Sequence, residues 1–284
     1  MSNIKIIADS TCDLSKELLE QYDISIIPLC INMGDKSYKD GMDITSEDIY
    51  AWSEKTNSTP KTAAPILNDV IEFIKPYVED NKDIIFLGIS EDMSSTCNVV
   101  RLAGEFYEYN KIHIINSKNL STGIGLQVLK AATMAEKGHT AEEIVHYIVD
   151  DMQDKVKASF VVDTLVYLAR GGRCSSVTAL IGNTLKLKPM IIVSNGKMSV
   201  EKKYRGNIRT VLLKYANDLK ENLLNADPDR VFITHSGCDD EIVEELYNFL
   251  KDLNVFKEIT VTSAGGVITS HCGPKTLGIL YVAR

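Results

Sequence analysis

Short apolar runs rich in β-branched residues recur through the first half of the chain, at residues 4–8, 24–31, 84–89, 112–115 and 160–162. Runs of this length read as buried strands, and most are followed by apolar positions at helical spacing. Helix starts are signalled at Asp13-Leu-Ser-Lys-Glu17, at Ser46-Glu-Asp before Ile49, and at Pro65 ahead of 66–78, with a long helix predicted over 121–137. This alternation predicts parallel strands covered by helices, an α/β first half.

Beyond Asp163 the pattern changes. Strands are predicted at 190–193 and 197–203, joined through Ser194-Asn-Gly196, whose Asn-Gly pair favours a tight hairpin turn. A helix over 207–224, a strand over 230–235, a helix over 240–252, a strand over 258–262 and a closing strand over 277–283 complete a second sheet with helices. The chain therefore reads as two α/β domains, 1–157 and 158–284.

Length and composition agree with two packed cores: 284 residues, of which 44% are hydrophobic and 25% charged. The apolar run before Asp9 is too brief for a signal-peptide core or a membrane span, so a cytoplasmic location without membrane insertion is expected. Six cysteines without a C-x-x-C pair or metal-ligand spacing read as free thiols, with no metal site. A formal charge of -8 argues against nucleic acid as a partner, yet the balance is uneven. Between 184 and 214 stand Lys186, Lys188, Lys197, Lys202, Lys203, Arg205, Arg209 and Lys214 against Glu201 alone, which points to an anionic partner there.

Four polar clusters carry candidate chemistry. In Thr59-Pro-Lys-Thr-Ala-Ala-Pro65, Thr62 lies just before a predicted helix, where a threonine caps the helix or offers its hydroxyl to an anion. In Ile89-Ser-Glu-Asp-Met-Ser-Ser-Thr-Cys97, hydroxyls including that of Ser94 follow a buried strand and open the next helix, where open α/β sheets tend to bind ligands. Leu168-Ala-Arg-Gly-Gly-Arg173 pairs glycines that permit close backbone approach with two arginines that can reach an acid, or else forms a surface turn. His271 sits in the Gly- and Pro-rich stretch from Ala264-Gly-Gly266 to Ser270-His-Cys-Gly-Pro-Lys275, as a site residue or a structural one. His113, His139 and His146 are assigned no role. There is no G-x-S-x-G elbow, Walker A, H-E-x-x-H or complete G-x-G-x-x-G, so no cofactor is indicated. Hydroxyls, arginines and one histidine without a nucleophile motif suit holding an anion better than catalysis.

Six motifs occur in order: Asp9-Ser-Thr-Cys-Asp-Leu14, Lys61-Thr-Ala-Ala-Pro65, Ser94-Ser-Thr96, Ser121-Thr-Gly-Ile-Gly125, Tyr167-Leu-Ala-Arg-Gly-Gly-Arg173 and His271-Cys-Gly-Pro274. Together they resemble the DegV family over essentially the whole chain. The resemblance implies an N-terminal three-layer α/β domain with a parallel sheet and a C-terminal α/β domain with a mixed sheet. One long-chain fatty acid would be enclosed between or along them. It further implies that Thr62, Ser94, His271 and one of Arg170 and Arg173 hold the acyl carboxylate. The chain departs from the family pattern in Ala63 and Ala64, in Ser95 after the binding serine, in Cys97 and in Asn116.

In family members that work with fatty acid kinase, the carboxylate is presented to a separate ATP-binding subunit, and the acyl-phosphate feeds phospholipid synthesis. The resemblance thus implies a carrier rather than an enzyme; together with the local basic excess in an acidic chain, it points to Lys202, Lys203, Arg205 and Arg209 as a docking face for the kinase or as a help in steering the acyl-phosphate. Two other readings stand beside it: a serine hydrolase or acyltransferase using Ser94 and His271, and a kinase subunit that binds a small carbonyl substrate through His271.

Overall fold

The computed structural model describes residues 3–178 and 187–284. The first half forms a four-stranded sheet from β1 (Ile4–Asp9), β2 (Ser25–Ile27), β6 (Asp83–Gly88) and β7 (Ile112–Asn116), in the order β2-β1-β6-β7 with every pair parallel. Ile84, Ile85, Phe86 and Leu87 are fully buried, because β6 is covered on both faces. Helices Leu67–Glu79 and Thr96–Phe106 bring Val70, Ile74 and Val100 against Phe86 on one face. On the other face lies helix Thr122–Glu136, which also packs against the second sheet. Helices buried on all sides are apolar all round, and this one buries Ile124, Leu126, Leu129 and Ala132 on different sides.

The apolar run 24–31 does not form one strand as expected. Pro28, which has no N–H to donate, separates β2 from β3 (Cys30–Met33), and the chain leaves the first sheet there. β3 instead pairs antiparallel with β4 (Lys36–Lys39) and β5 (Lys61–Ala63), a small sheet of order β4-β3-β5. Thr62 is therefore on a strand, opposite Ile31.

The second sheet is mixed. It comprises β8 (Val156–Val161), β9 (Leu187–Ser194), β10 (Lys197–Arg205), β11 (Ala226–Ser236), β12 (Glu258–Ser263) and β13 (Thr276–Ala283), ordered β10-β9-β8-β13-β11-β12, with only β11 and β12 parallel. The predicted hairpin turn forms: Asn195 and Gly196 both take positive φ (49° and 79°), as a tight turn matching strand twist requires. The predicted helix 207–224 divides into Ile208–Asp218 and Lys220–Leu224.

Two segments read as loop or turn are helical. Val166–Gly171 is a short helix closed by Gly172 at φ 67°. Gly266–Cys272, hereafter the histidine helix, packs against β3, β5 and helix Ser46–Thr56, so the last part of the chain returns to N-terminal elements. All six cysteines are free and buried. Among the described residues no helix is long and apolar enough to cross a membrane.

Candidate functional site

Where the C-terminal end of β6, the end of β5, the histidine helix and the start of β10 meet, they enclose a cavity of about 240 Å³. Its apolar lining includes Leu29, Ile89, Met93, Leu120, Met198 and Ile268, and its polar groups include Thr62, Ser94, Arg173 and His271. Four residues singled out by motif, scattered over more than 200 positions, thus line one cavity.

The closest pairing among them is Thr62 Oγ1 with His271 Nε2, 2.7 Å apart. Thr62 does not cap a helix: the helix that follows starts at Leu67, and its N-cap, Ile66, makes no side-chain capping bond. β5 instead points the Thr62 hydroxyl at the histidine, on the lining of the cavity. The other imidazole nitrogen, Nδ1, is buried and has no hydrogen-bond partner among the described residues. Burial, aided by the Arg173 guanidinium, pushes the His271 imidazole down to about 4, so the ring is neutral at physiological pH.

Gly171 explains the tight seal on that ring. A methyl group at Gly171 would stand 2.3 Å from Nδ1, so only glycine lets the backbone of the short helix reach the histidine. Gly172 has a different task, taking the left-handed conformation that ends the helix. The turn after it swings Arg173 into the cavity lining, where Nη1 donates to Gly171 O at 2.8 Å. Both arginines are exposed, and Arg170 is not among the lining residues.

Ser94 lies just ahead of helix Thr96–Phe106, whose N-cap, Ser95, makes no side-chain capping bond. Ser94 Oγ instead meets Thr96 Oγ1 at 2.8 Å. Its loop is braced by the hairpin tip, where Ser90 Oγ donates to Gly196 O at 2.7 Å, and Lys197 approaches Asp92 at 3.4 Å. Ser94 and His271 each bond a threonine, so no Ser–His pair forms and a nucleophile–base arrangement is not assembled. Leu29, Leu120 and Met198 line the cavity without having been singled out. Met198 had a local signal, as the first inward position after the Asn-Gly turn.

The cationic stretch is less free than its count suggests. Lys202 pairs with Asp218 at 2.7 Å, and Arg209 is hydrogen-bonded to Glu245. Lys188 pairs with Asp163. Lys203, Arg205 and Lys214 form no ion pair among the described residues, and Lys186 lies outside them. At about 3.3 Å per residue, Arg205 stands roughly 20 Å along β10 from the cavity residue Met198.

A model of the DegV family, described as uncharacterised proteins, matches residues 3–284. The chain belongs to the DegV family. A DegV domain-containing protein of Clostridium perfringens is 34% identical over 99% of both chains. Among solved DegV structures, a lipid binding protein from Thermotoga maritima has a TM-score of 0.85 and 29% identity, covering 100% of this chain and 99% of that one. A stearic acid-binding protein from Eubacterium ventriosum has a TM-score of 0.86 and 28% identity, covering 99% of this chain and 98% of that one.

Proposed function

We propose that this DegV protein binds one long-chain fatty acid, holding its carboxylate on Thr62, Ser94 and Arg173, with His271 orienting the Thr62 hydroxyl. One observation carries the reading: a neutral, sealed histidine bonded to Thr62 sits in a largely apolar cavity with two serines and an arginine, and among the described residues no carboxylate side chain lines it. An acyl chain of about 16 carbons gains roughly 0.8 kcal/mol per buried CH₂, on the order of 10 kcal/mol before ordering costs. A buried carboxylate without partners would cancel much of that, so donors must converge where the head group lies. At about 240 Å³ the cavity takes the carboxyl end and neighbouring carbons. Uptake of the whole chain then calls for side chains to move aside, a task suited to the flexible Met93 and Met198.

In this reading the chain is a cytoplasmic carrier made of two α/β domains meeting near Lys157, with no cofactor of its own. A separate ATP-binding kinase subunit phosphorylates the presented carboxylate, and the acyl-phosphate enters phospholipid synthesis. The cations of β10 and the following helix form the docking face. Their place roughly 20 Å from the cavity suits partner contact. Mass spectrometry of the protein purified under native conditions tests the reading: a mass increment of one fatty acid, recovered on organic extraction, supports it. Folded protein that carries no acid and takes up none when offered contradicts it.

A further inference from the structure

Three carboxyl groups are buried together around the start of the histidine helix: Asp9, Asp13 and Asp40, none more than 6% exposed. All of their hydrogen-bond partners named here are neutral, and each leads to a wall of the cavity. Asp9 Oδ2 accepts from the backbone N–H of Ile89, a lining residue, at 2.7 Å. Asp13 Oδ1 accepts from Gly265 N at 2.8 Å, and its Oδ2 from Ser121 Oγ at 2.5 Å. Asp40 Oδ1 accepts from Gly266 N at 2.8 Å, while its Oδ2 is buried with no hydrogen-bond partner among the described residues.

Two features show that this cluster holds the backbone where it would not otherwise rest. Ser121, buried and next to the lining residue Leu120, has φ 52° and ψ -146°, a conformation that suits glycine. At Gly265 a methyl group would come within 3.1 Å of Asp13 Oδ1 and 3.4 Å of Asp40 Oδ2, so the helix start is drawn against both carboxyls. His271 follows Gly265 by six residues, about 9 Å along the helix.

We infer that Asp13, with Asp40 beside it, is the positioning residue of the carboxylate site: it fixes the start of the histidine helix and the Ser121 turn, and so sets where His271 and Leu120 stand. The inference rests on the fatty-acid reading of the cavity. Burial pushes Asp13 up to about 8 and Asp9 up to about 6, each helped by its carboxyl neighbours, and burial raises Asp40 as well. The other titratable groups facing them are the Cys12, Cys97 and Cys272 thiols, which burial keeps protonated. A carboxyl raised in the folded state favours folding most below its unfolded pKa, and that contribution is lost as pH rises through the folded value. The cluster therefore holds best in its protonated form and loosens as pH climbs through about 8.

The test measures palmitate affinity from pH 6 to 9 and amide hydrogen exchange over 265–272, for wild type, Asp13→Ala and Asp13→Asn. Asp13→Ala should lose about tenfold or more in affinity and exchange faster over that segment. Asp13→Asn, which keeps an acceptor but cannot ionise, should bind at neutral pH and lack the wild type's decline above pH 8. Unchanged affinity and exchange in Asp13→Ala, or an identical pH profile in Asp13→Asn, overturns the proposal. Should Asp13→Ala fail to fold, the Asp13→Asn profile decides alone. If wild type binds no palmitate, the fatty-acid reading fails, and hydrogen exchange alone decides whether Asp13 holds the helix.

Discussion

In the cavity, a few polar groups are pinned by contacts from distant segments: Thr62 to His271, His271 to Gly171, Ser94's loop to the hairpin tip. Along β10 the polar groups are many and solvated, and two of the four proposed docking cations are already taken by Asp218 and Glu245. Both regions face anions in the proposed function, yet they differ in what burial does to a charge. A hydroxyl or a neutral imidazole costs far less to bury than a charge, and gains from pairing with one ligand atom. An exposed lysine gains little from any single partner and acts mainly through long-range attraction, which salt screens. Affinity should therefore reside in the cavity, and encounter with a partner in the cationic stretch.

The largest expected effect separates the two glycines of the Ala-Arg-Gly-Gly-Arg turn. Gly171→Ala drives a methyl into the imidazole and should cost about 1–3 kcal/mol of stability, with loss of bound acid. Gly172→Ala, which meets no atom within 4 Å but must hold φ 67°, should cost about 1 kcal/mol and leave acid retention intact. Thermal melts paired with lipid extraction check both; equal retention in the two variants would break the account of His271.

Next come Thr62→Ala and Ser94→Ala. Each should weaken acid binding by about 1–3 kcal/mol, and the double variant by less than the sum, because both hydroxyls serve one carboxylate. Strict additivity in titrations of palmitate would place the two hydroxyls on separate ligands.

The smallest effect is expected from Lys203→Glu with Arg205→Glu, the proposed docking cations that form no ion pair among the described residues. Stability and acid affinity should stay within about 0.5 kcal/mol. The rate of acyl-phosphate formation with an ATP-binding kinase subunit should fall, and more steeply at low salt. Unchanged rates at low and physiological salt would return the stretch to ordinary surface.

What the sequence made legible follows the same division between local and distant causes. Helix Asp240–Asp252 is marked by Ile242, Val243, Leu246 and Leu250 on one face, and its bounds match the pattern residue for residue. β6 and the Asn-Gly hairpin are equally local in origin. The histidine helix was missed because its start is held by Asp13 and Asp40, 252 and 226 positions away in sequence. Thr62 was read as a helix-start residue because Pro65 follows it; pairing with β3 made it a strand residue. Ordered motifs brought out Thr62, Ser94 and His271 as a set, but nothing in their spacing says that Thr62 meets His271 across 209 positions. Arg170 and Arg173 were indistinguishable by type; the turn at Gly172 separates them. Cation counting overstated the β10 stretch, since Asp218 and Glu245 come from helices that fold back upon it.

The central claim is that the carboxylate rests on the cavity hydroxyls. ¹³C NMR of the protein loaded with palmitate labelled at its carboxyl carbon tests it most directly. The account predicts one bound carboxyl resonance that shifts in Thr62→Ala and in Ser94→Ala and is unmoved by Lys203→Glu with Arg205→Glu. A resonance indifferent to both cavity changes, or displaced by the β10 charge reversal, would contradict it.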